Sequence, residues 1–234
     1  MSLYFRQLLA GRDFAVTNPV AAQMENFVYL IGDTDTRECV VVDPAWGVDD
    51  LLDLAEADGM KVVAGLATHY HPDHVGGTMY GFTVEGAARF VARAGVKLHC
   101  HRAEDEGVRQ VTGLSSNDLV LHDSGDKVLA GKVEIEWLHT PGHTPGSSCF
   151  RLKDGLVAGD TVFLHGCGRV DLPGGDSETM YYTITQRLAS LPGSLELWPG
   201  HRYGGAHAPL ETVRRTNPYL QVKDLLTWKR AMGG

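Results

Sequence analysis

Short apolar runs separated by turn-forming residues recur along the chain and give the first indication of its secondary structure. Runs rich in β-branched and aromatic side chains are typical of strands. The first two runs, 26–31 and 39–42, are joined through a turn at Gly32-Asp33 and predict a hairpin. The run 133–138 alternates apolar and polar residues, so we expect a half-buried strand there. The other predicted strands are 62–67, 96–100, 118–122, 127–129, 147–152, 156–158 and 195–198.

Between these runs, apolar residues recur at intervals of three and four, which is typical of helices that pack one face on a sheet. The predicted helices are 49–57, 83–94, 103–111, 177–189, 209–216 and 220–230. Strands and helices are mixed in both halves of the chain. This mixture predicts an α/β fold in which two mixed sheets pack together and helices cover them, a four-layer αββα sandwich. No linker or repeat divides the sequence, so we expect one domain over residues 1–234.

Composition narrows the class of protein. With 234 residues, 43% of them hydrophobic, the chain is long enough to bury a full core. The net charge of −8 and the lack of a Lys/Arg run argue against a nucleic-acid partner. No apolar run approaches the roughly 20 residues that cross a bilayer, and residues 1–11 are too polar for a signal peptide, so we expect no membrane partner. The four scattered cysteines are interpreted as buried free thiols, which predicts a cytoplasmic protein.

Four possible metal ligands lie within six residues, in the stretch HYHPDH that follows the predicted strand 62–67. His69 and His71 are two positions apart at the strand end, so both side chains leave the same side of the backbone. Pro72 fits the first turn of a helix, from which Asp73 and His74 point back toward the same centre. The spacing predicts a metal site.

Three further candidate ligands follow predicted strands and lie just beyond a glycine. His143 lies in HTPGHTPG, Asp160 follows AG after the strand 156–158, and His201 follows PG after the strand 195–198. Loops at one edge of a sheet gather side chains into a site. We therefore expect these residues to join the first four.

HxHxDH, HTPGHTPG, AGDT and PGH occur in this order at strand ends, and the chain thereby resembles the metallo-β-lactamase superfamily from about residue 26 to residue 219. The last three motifs resemble its glyoxalase II-like (hydroxyacylglutathione hydrolase-like) branch. The resemblance implies the αββα fold with metals at one edge between the sheets. It also implies that His69, His71 and His143 hold one metal, that Asp73, His74 and His201 hold a second, and that Asp160 bridges them.

The implied activity is that of a dinuclear metal-dependent hydrolase. Imidazoles and carboxylates suit Zn²⁺, Fe²⁺ or Mn²⁺, and we expect two divalent ions, zinc by default. In the implied thioesterase mechanism a metal-bridging hydroxide attacks an acyl carbonyl, with Asp73 and Asp160 as the catalytic carboxylates. Superfamily enzymes that open β-lactam rings generally lack the carboxylate at Asp160, and flavodiiron members carry Glu at the position of His71. Both differences argue against those two activities.

The loop GCGRVDLPGGD at 166–176 bears on the substrate, which we expect to be a small thioester or glutathione-derived thiol compound. Arg169 and Tyr203 match positions that contact glutathione in glyoxalase II, whereas Asp171 replaces a tyrosine of that family. Residues 217–220 resemble only the start of the basic C-terminal region of those enzymes, so we expect an incomplete glutathione site. A structural ion pair of Arg169 with Asp171 or Asp176 is the other interpretation of this loop.

Two other activities remain open from the same residues. The sequence GCGR-x-D also resembles the persulfide dioxygenases, which hold one iron with residues that match His69, His143 and Asp160. The other alternative is a lactonase or a nuclease with the same dinuclear centre. No feature of the sequence predicts an oligomeric state.

The 74 positions between His69 and His143 are more than is usual in the glyoxalase branch, and we place the extra length at 79–94. Tyr80, Phe82 and Phe90 in this segment are either a lid or apolar wall over the site, or ordinary core residues. His139 is expected to play a structural role near the site. The histidines expected at the surface or in hydrogen-bonded core positions are His99, His101, His122, His165 and His207.

Overall fold

The computed structural model describes residues 2–232 and is built on two six-stranded sheets that face each other. The strands are β1 (Leu3–Leu9), β2 (Phe27–Asp33), β3 (Glu38–Val42), β4 (Lys61–Leu66), β5 (Gly77–Met79), β6 (Phe82–Val84), β7 (Leu98–His101), β8 (Leu119–His122), β9 (Lys127–Ala130), β10 (Val133–His139), β11 (Ser148–Arg151), β12 (Gly155–Gly159), β13 (Glu196–Pro199) and β14 (Ala208–Pro209). The α-helices are α1 (Pro19–Met24), α2 (Val48–Ala57), α3 (Pro72–Val75), α4 (Gly86–Ala94), α5 (Asp105–Thr112), α6 (Ser177–Tyr182), α7 (Leu210–Thr216) and α8 (Leu225–Ala231).

Both sheets are mixed. The first has the order β1-β2-β3-β4-β7-β8, antiparallel from β1 to β3 and parallel from β3 to β8. The second has the order β14-β13-β12-β11-β10-β9, with only the β12–β13 pair parallel among its described neighbours. The predicted hairpin of β2 and β3 is confirmed, in the register that pairs Leu30 with Val41.

Side chains that alternate along the strands build the four layers. Val28 and Leu30 of β2 point outward and pack in one cluster with residues of α1, α2 and α4. Tyr29 and Ile31 of the same strand point inward and pack with residues of β10, β11 and β12. The outer face of the second sheet is covered in the same way by α6, α7 and α8. The predicted αββα fold is therefore confirmed.

Two elements near the start of the chain were not predicted. The edge strand β1 contains Arg6 and Gln7, which interrupt the apolar pattern, yet it pairs with β2 along its whole length. The short helix α1 begins at Pro19, and the Asn18 side chain accepts hydrogen bonds from the backbone of Val20 and Ala21. Asn-Pro is a helix-start signal, but six residues are too few to show helical periodicity.

The helix predicted over 83–94 begins later than expected. Residues 82–84 are a strand that pairs with β5, and α4 starts only at Gly86. Tyr80 and Gly81 both have positive φ, 48° and 81°, which is the backbone of a tight two-residue hairpin turn. Of the three aromatic residues in this segment, Phe90 is fully buried in the core, whereas Tyr80 and Phe82 are 82% and 53% exposed. The core interpretation is thus correct for Phe90 alone.

The C-terminal helices are also more broken than their apolar spacing indicated. The predicted helix 177–189 is α6 followed by a π-helical turn, Thr183–Arg187, and a 3₁₀ turn, Leu188–Ser190. The predicted helix 220–230 begins only at Leu225, where the Asp224 side chain caps it.

The four cysteines are free thiols, and Cys39, Cys100 and Cys149 are buried, as predicted, whereas Cys167 is only partly buried. Among the described residues, none of the helices has the length and apolar character that a membrane span requires.

Candidate metal centre

The seven predicted ligands meet at one edge of the sandwich because each follows a strand that ends there. The segment 69–74 leaves the carboxyl end of β4 and enters the one-turn helix α3. His143 lies in the loop between β10 and β11, Asp160 directly follows β12, and His201 follows β13. Five of the seven are buried, and His71 and Asp160 are partly exposed.

The first group of ligands is the histidine triad, His69, His71 and His143. Nε2 of His69 lies 3.0 Å from Nδ1 of His71 and 3.3 Å from Nε2 of His143. Two nitrogens bound to one tetrahedral zinc at about 2.0–2.1 Å are separated by about 3.3–3.4 Å. The triad is therefore already spaced to share one ion.

The second group is the carboxylate set, Asp73, His74 and His201. The Nε2 atoms of His74 and His201 are 3.2 Å apart, and Oδ2 of Asp73 lies 3.4 Å from the first and 3.3 Å from the second. This group also has the spacing of donors that surround one cation.

Asp160 lies between the two groups. Its Oδ1 is 3.3 Å from Nε2 of His74, and its Oδ2 is 3.4 Å from Nε2 of His201 and 3.8 Å from Nε2 of His143. Oδ1 is buried and has no hydrogen-bond partner among the described residues. A buried carboxylate oxygen without a partner is costly, and a bound cation would satisfy it. The donor set thus fits divalent metal ions.

Hydrogen bonds behind the ligands fix which ring nitrogen faces the centre. Nδ1 of His74 donates to Asp43 Oδ2 at 2.8 Å, which directs Nε2 inward. The Thr68 hydroxyl also donates to Oδ2 of Asp43, at 2.7 Å, and it lies 3.0 Å from Nδ1 of His69. Because that hydroxyl uses its hydrogen on Asp43, it accepts from Nδ1 of His69 and leaves Nε2 free for metal.

The remaining ligands are held in the same manner. Nδ1 of His143 donates to the Arg169 carbonyl and Nδ1 of His201 to the Met24 carbonyl, both at 2.7 Å. The Asn26 amide nitrogen lies 3.1 Å from Oδ2 of Asp73, while its oxygen accepts from the Trp46 indole at 3.1 Å.

Sequence reasoning did not find the residues that orient the ligands. One signal was available for Asp43, which directly follows β3, because β3 is the parallel neighbour of the strand that leads to His69. The others depend on tertiary contacts that leave no local pattern. These others are Met24, Asn26, Trp46 and Thr68.

The two groups differ in charge. Burial, reinforced by neighbouring imidazoles, lowers the pKa of His69 well below its ordinary value and that of His71 to about 4, so both are neutral. Burial also opposes a charge on His201, but the carboxylates of Asp160 and Asp73 outweigh it and raise its pKa to about 10. Metal binding to the carboxylate set must therefore displace protons.

The two predicted substrate-binding residues flank the centre differently. The Tyr203 ring stacks on His201 with centroids 4.8 Å apart and an interplanar angle of 3°, and it remains 46% exposed. The Arg169 guanidinium makes two hydrogen bonds to Asp171, at 2.9 and 2.8 Å, so the ion pair considered above is present. It is the carbonyl of Arg169, rather than its side chain, that contacts a predicted ligand.

The other histidines lie outside the ligand groups. His139 stacks on His101 with centroids 3.9 Å apart, and its Nε2 donates to the Pro145 carbonyl at 2.8 Å. It therefore shapes the loop that carries His143. Hydrogen bonds also occupy His99 and His122, which contact each other at 2.9 Å.

With this geometry established, comparison with known proteins identifies the family. Residues 23–201 match the sequence profile of the metallo-beta-lactamase superfamily. The chain belongs to the metallo-β-lactamase superfamily. The predicted resemblance is confirmed, and the superfamily fold agrees with the four layers described above.

Similar members of the superfamily carry two different activities in their names. The persulfide dioxygenase ETHE1 of Mus musculus is 30% identical over 208 residues, which cover 84% of this chain and 72% of that protein. The hydroxyacylglutathione hydrolase of Polaromonas sp. is 34% identical over 189 residues, which cover 76% of this chain and 62% of that protein. The structure of ETHE1 from Myxococcus xanthus is similar with a TM-score of 0.80 and 26% identity, over 98% of this chain and 89% of that one.

Proposed function

We propose that this superfamily member is a dinuclear metal-dependent hydrolase that cleaves a thioester, as a glyoxalase II-like enzyme does. The observation that carries the proposal is the position of Asp160. Its Oδ1 lies 3.3 Å from His74 and its Oδ2 3.8 Å from His143, so a single carboxylate reaches both ligand groups. A shared carboxylate of this kind supports two ions held close together.

Zinc is the ion we expect, although iron or manganese could use the same nitrogen and oxygen donors. When bound, two such ions supply a water-derived nucleophile at neutral pH and polarise a carbonyl oxygen.

Asp73 is the residue that we assign to orienting the attacking water, by accepting a hydrogen bond from it, while the proton that this water loses passes to solvent. Its carboxylate is fixed by the Asn26 amide at 3.1 Å. Burial opposes its ionisation, but the neighbouring histidines outweigh burial and hold its pKa well below the ordinary value. The water oxygen forms a bond to the carbonyl carbon, and the carbon–sulfur bond breaks as sulfur leaves with the bonding electrons. Because a thiol has a pKa of only about 8.5, the thiolate leaves without a protein acid.

Tyr203 and Arg169 are assigned to substrate positioning. Burial, together with the charges of Asp160 and Asp73, raises the pKa of Tyr203, so its hydroxyl stays protonated and can donate to a substrate. Arg169 is already paired with Asp171 and would present the remaining donors of its guanidinium to an anionic group of the substrate.

A persulfide dioxygenase is the second candidate, and the ion pair of Arg169 and Asp171 favours it. The two residues lie in the loop GCGR-x-D, which resembles the corresponding loop of those enzymes, and two hydrogen bonds hold their side chains together. In that case His69, His143 and Asp160 would hold a single iron with open coordination positions. The similarity to ETHE1 supports this candidate as the similarity to hydroxyacylglutathione hydrolase supports the first.

One experiment separates the two candidates. The protein is purified without added metal, its metal content is measured, and it is assayed with a glutathione thioester, a lactone and glutathione persulfide. We expect about two zinc ions per chain, thioester hydrolysis and no oxygen uptake. About one iron per chain with oxygen uptake that requires persulfide would replace the hydrolase with the dioxygenase.

His69→Ala and His207→Ala provide the matched variants for this assay. His69 belongs to the triad, whereas His207 is exposed and paired with Glu196 outside the centre. The first change should remove metal and turnover together, and the second should leave both intact. Turnover that survives in His69→Ala would contradict the proposed centre.

A further inference from the structure

A buried carboxylate outside the seven ligands connects the two loops that supply the histidine triad. Glu104 is fully buried and lies in the 3₁₀ turn Arg102–Glu104 that follows β7. Because β7 is the parallel neighbour of β4, their carboxyl ends lie side by side. The first of these strands leads to Glu104 and the second to His69.

The carboxylate of Glu104 accepts three hydrogen bonds, and they come from both sheets. Oε2 accepts from the backbone nitrogen of Tyr70 at 2.7 Å, between the ligands His69 and His71. Oε1 accepts from the Thr144 hydroxyl at 2.9 Å and from the Gly146 nitrogen at 2.6 Å. Thr144 directly follows His143, so one side chain bridges the two segments of the triad.

The surrounding residues are shaped to admit this bridge. A Cβ atom at Gly146 would lie 2.6 Å from Cγ of Glu104, so any larger residue would displace the carboxylate. A Cβ atom at Gly107 would lie 2.7 Å from the Tyr70 ring, which therefore packs directly on α5. The Tyr70 hydroxyl also donates to the Pro173 carbonyl at 2.5 Å. Tyr70 is thus held at its backbone, its ring and its hydroxyl.

A second contact between the sheets lies close by, but it does not reach the triad in the same way. The Ser148 backbone nitrogen donates to the Thr68 carbonyl at 2.9 Å. This bond fixes the strand ends, whereas the Glu104 bonds fix the residues next to the ligands themselves.

We propose that Glu104 is a positioning residue for the histidine triad, whose carboxylate sets the separation of the two loops and hence the affinity and geometry of the ion that the triad holds. The inference rests on the proposed metal centre and is independent of the substrate. The Tyr70 nitrogen donates to one carboxylate oxygen of Glu104, and Thr144 and Gly146 donate to the other, so both oxygens must be acceptors. In Glu104→Gln the amide group must face either the Tyr70 nitrogen or the Gly146 side, so one of the two loops loses its acceptor.

The test uses Co²⁺ titration of metal-free protein, read by the visible absorption of the bound ion. The background is His201→Ala, which disables the carboxylate set so that the triad is observed alone. Glu104→Gln should lower the Co²⁺ affinity of the triad by about tenfold and change the spectrum, since outer partners of metal ligands typically have effects of about 10–100-fold. Glu104→Asp keeps the charge but is one methylene shorter, and it should also weaken binding.

Asp33→Asn is the matched control. Asp33 is likewise a buried carboxylate that accepts from backbone nitrogens, those of Asp35 and Lys132, but it ends β2 at the edge of the sandwich away from the metal centre. This change should leave Co²⁺ affinity and spectrum unaltered. Thermal unfolding of the same metal-free variants shows whether each one is folded.

If Glu104→Gln does not fold, Gly146→Ala provides the second variant, because its Cβ would lie 2.6 Å from Cγ and 2.9 Å from the backbone nitrogen of Glu104 and so displace the carboxylate without changing the identity of residue 104. It should reproduce the loss of Co²⁺ affinity. Affinity and spectrum within twofold of the parent in a folded variant would overturn the inference. If the His201→Ala parent and the unaltered chain both bind no Co²⁺, the proposed metal centre itself is wrong, which is a different result.

Discussion

The histidine triad and the carboxylate set use the same imidazole groups in opposite electrostatic settings. In the triad, burial is the main influence and lowers the pKa of every histidine. In the carboxylate set, Asp73 and Asp160 outweigh burial and raise the pKa of both His74 and His201. The triad is therefore ready to accept a cation as neutral ligands, whereas the carboxylate set holds protons that a cation must replace.

The two groups also differ in how they are supported. In the carboxylate set, Asp43 holds His74, and the Asn26 amide nitrogen lies 3.1 Å from Oδ2 of Asp73 and 3.3 and 3.4 Å from Nε2 of His74 and His201. The triad is drawn from both sheets, and its spacing depends on the contacts of Glu104 across them. The carboxylate set can therefore be disturbed through side chains that contact its ligands directly, whereas the triad can be disturbed through the loops that carry it.

The largest effect should come from removing the one residue that the groups share. Asp160→Asn keeps the shape of the side chain but replaces a charged oxygen with an amide between His74 and His201. We expect it to abolish binding of at least one ion and to reduce turnover by more than about 100-fold, beyond the range of outer-partner changes. Metal content and the thioester or persulfide assay measure this. Full occupancy by two ions would show that the two groups are independent after all.

The next effect concerns the pH dependence of stability. Burial raises the pKa of Glu104 from 4.5 to about 7, despite three hydrogen bonds that act in the other direction. Below pH 4.5 Glu104 is protonated in both the folded and the unfolded state, so its contribution to the free energy of unfolding is fully present there. Between pH 4.5 and 7 the unfolded chain ionises first, so stability falls as pH rises, by about 3 kcal/mol in all.

Glu104→Gln does not titrate, so it provides the reference for this change. The difference in unfolding free energy between the metal-free variant and the unaltered chain should shift by about 3 kcal/mol in favour of the variant from pH 4.5 to pH 8. Urea unfolding at the two pH values measures it. A difference that is the same at both pH values would mean that Glu104 ionises normally. A variant that is relatively more stable at pH 8 yet binds Co²⁺ more weakly would separate positioning from simple stabilisation.

The ligands could be predicted from the sequence because they are local. His69, Asp160 and His201 each follow an apolar strand, and a strand end at a sheet edge is visible in the order of residues. Glu104 could not be predicted because its partners lie 34 or more positions away. The partners of Asp43 lie 25 or more positions away, and its place directly after β3 was the one signal it offered. The proximity of both residues to their partners depends on the sheet order β3-β4-β7, which skips the hairpin between β4 and β7.

The same distinction explains the secondary structure that was predicted incorrectly. The amphipathic spacing of 83–94 is real, but Tyr80 and Gly81 adopt left-handed backbone and turn the chain into a hairpin first. Apolar spacing alone does not show that the first residues of such a segment form a strand when a partner strand is available.

The smallest of these effects should come from Asp43→Asn, which tests whether the carboxylate set is held through one ligand. Asn presents a donor where Asp43 accepts from both His74 Nδ1 and Thr68. His74 is then driven toward the tautomer that carries hydrogen on Nε2, the atom that faces the metal. We expect Co²⁺ affinity of the carboxylate set to fall about 10–100-fold, measured in a His143→Ala background that disables the triad.

The control for this prediction is Asp43→Asn in the His201→Ala background, where the triad is measured alone. The triad should lose no more than about threefold in affinity there, because the link of Asp43 to His69 passes through the Thr68 hydroxyl, which can still accept from Nδ1 of His69. An equal loss in both backgrounds would contradict the comparison. It would mean that Asp43 and Thr68 support the two ligand groups as one network, and that the triad is not governed by Glu104 alone.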